Sequence, residues 1–376
     1  MSDFVPGLEG IIAFETQIAE PDKDGGSLRY RGVDIEDLVG KVSFAHIWGL
    51  LVDGEFNTGL PPAEPYPIPV HSGDVRVDVQ SAIAQLAPAW GLRPLLDIDD
   101  QTARDNLAHV SVMAMSFVAQ SARGLGRPMV PEARINEAKT IVERFMIRWR
   151  EDPDPKHVQA VDAYFGSAAE HGMNASTFTA RVIASTGADV AASISGAVGA
   201  MSGPLHGGAP SRVLGMIEEI ERTGDAQSYV KTVLDSGDRL MGFGHRVYRA
   251  EDPRARVLRR TAKELDAPRY EVAAALEQAA LAELRDRRPD RILETNVEFW
   301  AAIVLDFAEV PAHLFTSMFT CARLAGWSAH VLEQKKTGRL VRPSALYVGP
   351  APRLPQDVPG WDESIMAPTG YPSGQA

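Results

Sequence analysis

A mainly α-helical fold is predicted from three observations. Apolar residues recur at helical spacing through most of the 376 residues. Strand-like pattern is confined to a short hairpin near the N-terminus and to Leu346-Tyr347-Val348. Two glycine-rich loops, each holding a histidine, interrupt the helical segments: Gly203-Pro204-Leu205-His206-Gly207-Gly208-Ala209-Pro210 and Met241-Gly242-Phe243-Gly244-His245-Arg246-Val247-Tyr248. Glycine keeps such backbone open, so both imidazoles are presented at helix ends instead of along a buried helical face.

Taken in order, residues 7 to 56 begin with short apolar pieces and turn signals at Asp22, Asp24, Gly25 and Gly26, which predict the hairpin. Leu38, Val42, Ile47, Leu50 and Leu51 then predict two short helices between Asp34 and Leu51. Five prolines between 57 and 75 predict a surface loop. Helices follow over 75–85 and 100–122, the second capped by Asp99 or Asp100 and stopped by Gly124 and Gly126. A continuous helix is expected over 132–149 and another over 158–170. Segments 175–186 and 189–202 read as helices built from Ala, Ser, Gly and Thr, a composition suited to close packing against neighbouring helices or across a dimer interface. Helices are further predicted over 213–222, 228–236, 255–265, 269–287, 296–307 and 311–325, and the Pro- and Gly-rich last 25 residues read as an extended arm.

The formal charge of −12 argues against a nucleic-acid footprint and against an anionic membrane surface, both of which call for a basic face. An anionic substrate must then be caught by local arginines. The single cysteine, Cys321, excludes an intrachain disulfide framework and multi-cysteine metal sites; it reads as a small buried hydrophobe in a cytoplasmic protein. No secretion signal is expected at Met1-Ser2-Asp3-Phe4-Val5-Pro6, and the most membrane-like stretch, 175–202, is interrupted by Arg181 and Asp189. Phosphate-cradling glycine loops, metal-ligand spacings and a Gly-x-Ser-x-Gly elbow do not occur in the sequence. The chemistry therefore falls to histidines, carboxylates and arginines.

The chain resembles the citrate synthase family, in its short bacterial and archaeal form. The resemblance runs over about residues 7–350 and is carried by Gly7-Leu8-Glu9-Gly10 with Leu28-Arg29-Tyr30-Arg31-Gly32, by Glu170-His171-Gly172-Met173-Asn174-Ala175-Ser176-Thr177, by both histidine loops and by Val341-Arg342-Pro343. Gly-Phe-Gly-His-Arg-Val-Tyr followed by Asp252-Pro253-Arg254 is its most specific motif. The resemblance implies a two-domain helical fold with a small N-terminal β-hairpin. A large domain would comprise 1–212 and 308–376, and a small one 213–307 would close over substrate about hinges near 208–214 and 305–310.

It further implies condensation of acetyl-CoA with oxaloacetate and hydrolysis of the resulting thioester, with no metal and no cofactor, CoA thioester being a substrate. His206 would donate a hydrogen bond to the thioester oxygen, and His245 would polarise and protonate the oxaloacetate ketone. The base would be Glu298 in Asn296-Val297-Glu298-Phe299-Trp300, where the family has aspartate; Asp306 and Glu309 are the substitutes. Oxaloacetate would be held by His171, His245, Arg254, Arg323 and Arg342, the last reaching in from the partner of a homodimer. CoA would meet Met241, Gly242, Phe243, Gly244, Arg249 and Asn296, the glycines allowing backbone to approach adenine closely. His46, His71, His109, His157, His313 and His330 are assigned no role, His313 reading as a core residue. Alternatives are 2-methylcitrate synthase, which takes propionyl-CoA, a citryl-CoA lyase module, and a degraded relative that only binds CoA or oxaloacetate.

Overall fold

The structure, a computed structural model, describes residues 4–8, 10–22, 24, 26–206, 211–244 and 248–361. Among them run one three-stranded antiparallel meander and fifteen α-helices. Residues Glu15–Val341 form one compact unit; Met1–Phe14 with Arg342–Ala376 form another. In that second unit Leu346-Tyr347-Val348 is exposed and unpaired as a strand among the described residues, so the strand predicted there does not form: it has no sheet edge to join.

In the larger unit the predicted hairpin gains a third strand. β1 (Ala19–Asp22) pairs with β2 (Ser27–Tyr30), and β2 pairs with β3 (Val33–Asp34) across Arg31 and Gly32. Both turn residues have positive φ, 50° and 85°, the two-residue geometry that matches strand twist. Asp34 then caps α1 (Ile35–Leu38), followed by α2 (Phe44–Asp53). The proline-rich segment is not merely a surface loop, since it buries Leu60 and Ile68, and Gln120 clamps it by accepting from the Ile68 amide at 2.9 Å and donating to Tyr66 O at 3.0 Å.

α3 (Val75–Trp90) runs past its predicted end and through Pro88, and Gly91 in the left-handed region closes it. Asp99 caps α4 (Asp100–Arg123), as the sequence suggests. The single helix expected over 132–149 is instead two, α5 (Glu132–Ile135) and α6 (Ile141–Arg150). Thr140 accepts from the Glu143 amide at 3.0 Å and Glu143 accepts from the Lys139 amide at 2.6 Å, a cap that starts a new helix within an unbroken apolar period. α7 (Pro155–Ala168), α8 (Ala175–Ser185) and α9 (Val190–Met201) follow, with Asp154, Asn174 and Asp189 as caps.

The remaining helices are α10 (Ser211–Thr223), α11 (Ala226–Asp235), α12 (Pro253–Glu264), α13 (Tyr270–Arg287), α14 (Val297–Phe307) and α15 (Phe315–Thr337). α15 extends well beyond the predicted 325 and is buried on nearly all sides, in contact with α2, α4, α7, α8 and α9. A helix apolar all round reads as a core helix, and its last turns, richer in polar residues, are masked from a simple periodicity argument. α8 and α9 pack on each other; Gly196 lies against Ile183, so the small residues do permit close approach. α12 and α14 pack together and against α7, while α10, α11 and α13 group beside α14. His313 is exposed, not core, whereas His330 and Cys321 are fully buried.

Gly326 shows how tightly α15 is fitted. Its amide donates to Ala169 O at 3.1 Å, and a Cβ there would overlap the Glu170 carboxylate and stand 2.6 Å from Ala169 O. Gly326→Ala is expected to lower unfolding stability by about 1–3 kcal/mol, the cost of overpacking a close contact; urea unfolding at constant m checks it.

Candidate active site

The site is assembled where several helices begin. Asn174 caps α8 by accepting from the Thr177 amide at 3.1 Å, and places Ser176 one turn away. Ser176 Oγ stands 2.8 Å from His206 Nε2, 3.1 Å from Trp327 Nε1 and 2.9 Å from Asn174 Oδ1. Indole N–H only donates, so it occupies one acceptor site of the hydroxyl. The one hydroxyl proton has two acceptors in reach, Asn174 Oδ1 and His206 Nε2; donation to His206 Nε2 puts the imidazole proton on Nδ1, and donation to Asn174 Oδ1 makes His206 Nε2–H the donor to Ser176. Burial, with the nearby Arg323 cation, pushes the His206 pKa down to about 4. The imidazole is therefore neutral near pH 7, with one N–H to donate and one nitrogen to accept.

A second assembly joins the starts of α12 and α14. Asp252 is fully buried; it caps α12 by accepting from the Arg254 amide at 3.0 Å, and grips the Arg254 guanidinium through Nε at 3.0 Å and Nη2 at 2.8 Å. Its Oδ2 also accepts from the Val297 amide at 3.1 Å, which pins α14 beside α12. Asn296 caps α14 by accepting from the Glu298 amide at 3.0 Å. Glu298 thus projects from the first turn of α14 next to this ion pair. Burial raises its pKa, with the Asp252 charge adding to the rise and Arg254 opposing it. A carboxylate with a raised pKa is a stronger base than one in water.

Arg323, in the buried middle of α15, donates from Nε to Ala168 O at 3.0 Å and lies over the Phe319 ring at 4.8 Å. Its charge acts on His206 and on Arg254, and Arg254 acts on Glu298, so the four groups share one electrostatic field. His171 joins them through Tyr248, whose hydroxyl is 3.0 Å from its Nε2. Of the predicted residues the structure brings together His171, His206, Arg254, Glu298 and Arg323. His245 lies outside the described residues, and Arg342 is exposed in the second unit. Asp306 is engaged by Arg269 at 3.2 Å and Glu309 by Arg150, so both weighed substitutes for the base are ion-paired elsewhere.

The glycines of the second loop have an intramolecular reason that was not read from sequence. Gly242 and Gly244 take φ of 87° and 83°, and a Cβ on Gly242 would stand 2.8 Å from Phe299 Cβ. The loop is zipped to the segment before α14 by Gly244 N to Glu294 O at 2.7 Å, Asn296 N to Gly242 O at 2.9 Å and Asn296 Nδ2 to Gly244 O at 2.9 Å. Asn296 therefore holds loop and helix together. Phe243 and Gly244 edge a cleft of about 1160 Å³ whose lining sets five arginines (Arg239, Arg249, Arg287, Arg288 and Arg291) against two aspartates. Met241 lies half-buried next to it. Such a cleft suits a polyanionic ligand.

Residues 7–344 match the family model for "Citrate synthase, C-terminal domain". The chain is 71% identical to "Putative citrate synthase 2" of Mycobacterium tuberculosis over 96% of its length and 98% of that protein's. It is 31% identical to "2-methylcitrate synthase" of Shewanella oneidensis, covering 92% and 95%.

The chain belongs to the citrate synthase family. It is accordingly an acyltransferase. The fold is similar to that of citrate synthase from Thermoplasma acidophilum, solved as a ternary complex with carboxymethyl coenzyme A and oxaloacetate, with a TM-score of 0.75 at 25% identity over 93% of this chain and 97% of that one. Ser176, Tyr248, Asp252 and the arginines after α13 are site residues that the sequence reading did not single out. The Asp-Pro pair ahead of Arg254 was a usable signal, since Asp at the cap and Pro at the first position mark a helix start. Among the described residues no cluster of His, Cys, Asp and Glu could hold a metal ion, and no helix is long and apolar enough to cross a membrane.

Because His206 has a depressed pKa, the unfolded chain binds a proton between pH 6.5 and about 4 that the folded chain does not, so folding stability falls as pH falls through that window. His206→Gln is expected to flatten that part of the pH dependence, which denaturant unfolding at pH 7, 6 and 5 measures.

Proposed function

We propose that the protein condenses acetyl-CoA with oxaloacetate and hydrolyses citryl-CoA to citrate and CoA. The observation that carries this reading is the pairing of a carboxylate of raised pKa, Glu298, with a neutral imidazole, His206, around two buried guanidinium groups. Glu298 takes a proton from the acetyl methyl while His206 Nδ1–H stabilises the enolate oxygen. The methylene carbon attacks the oxaloacetate ketone, whose oxygen takes a proton from His245; water then cleaves the citryl thioester.

Arg254 and Arg323 hold the oxaloacetate carboxylates with His171 and His245, and Arg342 completes the set from the partner of a homodimer. The CoA pyrophosphate and 3′-phosphate fit the arginine-lined cleft next to Met241, Gly242, Phe243, Gly244, Arg249 and Asn296. Residues 213–307 close as a small domain on the rest, so acetyl-CoA binds after oxaloacetate. The reaction needs neither metal nor cofactor, and the reduced buried Cys321 accords with a cytoplasmic enzyme.

Propionyl-CoA is the alternative donor, since one methylene in an apolar pocket changes specificity by only ~1–3 kcal/mol and a 2-methylcitrate synthase is among the relatives. Comparing kcat/KM for acetyl-CoA and propionyl-CoA decides between them. Glu298→Gln is expected to lower kcat by about 10²–10⁴-fold, the range for a general base. Glu298→Asp withdraws the carboxylate by about 1 Å and is expected to cost on the order of 10²-fold; near-normal citrate formation by the glutamine variant in a thiol-release assay would refute the assignment. Arg288→Ala with Arg291→Ala should raise the acetyl-CoA KM by about tenfold or more, the size of a lost charge-assisted contact, with oxaloacetate KM unchanged.

A further inference from the structure

Beside the substrate arginines lies a buried ionic chain that the proposed reaction does not use. Glu170 and His330 are both fully buried, and His330 Nε2 is 3.3 Å from Glu170 Oε1. Arg181, also buried, donates from Nη1 to His330 Nδ1 at 2.9 Å and to Glu333 Oε2 at 2.6 Å, and from Nε to Gln334 Oε1 at 3.1 Å. Guanidinium N–H only donates, so His330 Nδ1 must accept. The imidazole is thereby fixed as the neutral Nε2–H tautomer, with its N–H facing Glu170. A doubly protonated ring is excluded by the arginine at its other nitrogen.

Glu170 is consequently a buried anion without a cationic histidine. Its carboxylate stands 3.3 Å from His330 Nε2, off-line for a strong hydrogen bond, and the His171 amide and Arg323 also favour its charged form against the cost of burial. Such a group is costly unless a positive charge lies close. The backbone places that charge. Arg323 bonds Ala168 O, and Gly326, one turn on, bonds Ala169 O and is bare where the Glu170 carboxylate passes. Arg323 and Gly326 therefore follow the 168–170 segment along one face of α15, with Gly326 against the carboxylate, and the arginine and the glutamate act on each other electrostatically. Arg254 has its own buried counter-ion in Asp252 at 2.8 Å.

We propose that Glu170 is a positioning residue: it is the internal counter-charge that keeps Arg323 aimed while the oxaloacetate pocket is empty, and His330, clamped by Arg181, holds Glu170 in place. The proposal rests on Arg323 binding oxaloacetate. Without Glu170 the guanidinium would relax out of its aim, and substrate binding would have to restore it.

The test is steady-state kinetics with each substrate varied in turn. Glu170→Gln is expected to raise the oxaloacetate KM by about tenfold or more, with kcat and acetyl-CoA KM within about threefold, and Glu170→Asp to recover most of the loss. An oxaloacetate KM that is unchanged or lowered, or a parallel shift of kcat and both KM values, overturns the proposal. Should Glu170→Gln fail to fold, His330→Gln takes its place with an expected rise of about threefold or more in oxaloacetate KM alone; no rise is again fatal. Arg323→Lys separates the two levels of inference. If it leaves oxaloacetate KM unchanged, the substrate assignment fails; if it raises KM while Glu170→Gln does not, only the positioning role fails.

Discussion

Asp252 is buried beyond the reach of water and is gripped through three donors of Arg254 and the amide of Val297. A buried carboxylate is tolerable only when opposite charge and donors surround it, and here they come from the starts of two helices. The ion pair therefore fixes α12 against α14, and with them Arg254 and Glu298. Its negative charge also helps keep the Glu298 pKa raised. Stability, geometry and basicity depend on the same contact.

The same rule governs the rest of the site. Arg323 stands in the buried middle of the core helix, where desolvation works against its charge; Glu170 offsets that. His206 meets the opposite condition: burial and the Arg323 cation hold it neutral, and Ser176 gives it a hydrogen-bonding partner that requires no charge. The candidate pocket thus contains paired arginines, neutral imidazole and one carboxylate of strengthened basicity.

Much of the site was legible in the sequence because its parts lie in short motifs. His206, Arg254 and Glu298 sit beside glycines or helix caps, and local backbone chemistry predicts their placement at helix ends. Ser176, Tyr248, Glu170 and His330 were not legible, because each acts through a residue far along the chain: Ser176 through His206 and Trp327, Glu170 through His330 and α15. The glycines of the second loop were read as room for a ligand, but Phe299 and the left-handed backbone already require them.

The sequence by itself determined the helical class, the cap at Asp99, the turn between β1 and β2, and the identity of most charged groups that the fold gathers at the candidate site. These follow from period, capping and turn chemistry, which act over a few residues. Only the tertiary structure decided that the helix over 132–149 breaks at Thr140, that α15 runs unbroken to Thr337, and that Leu346–Val348 stays unpaired as a strand. It alone decided, too, which carboxylate compensates which arginine, because burial and pairing across the chain set the energy of a charge, and neither is written in local sequence.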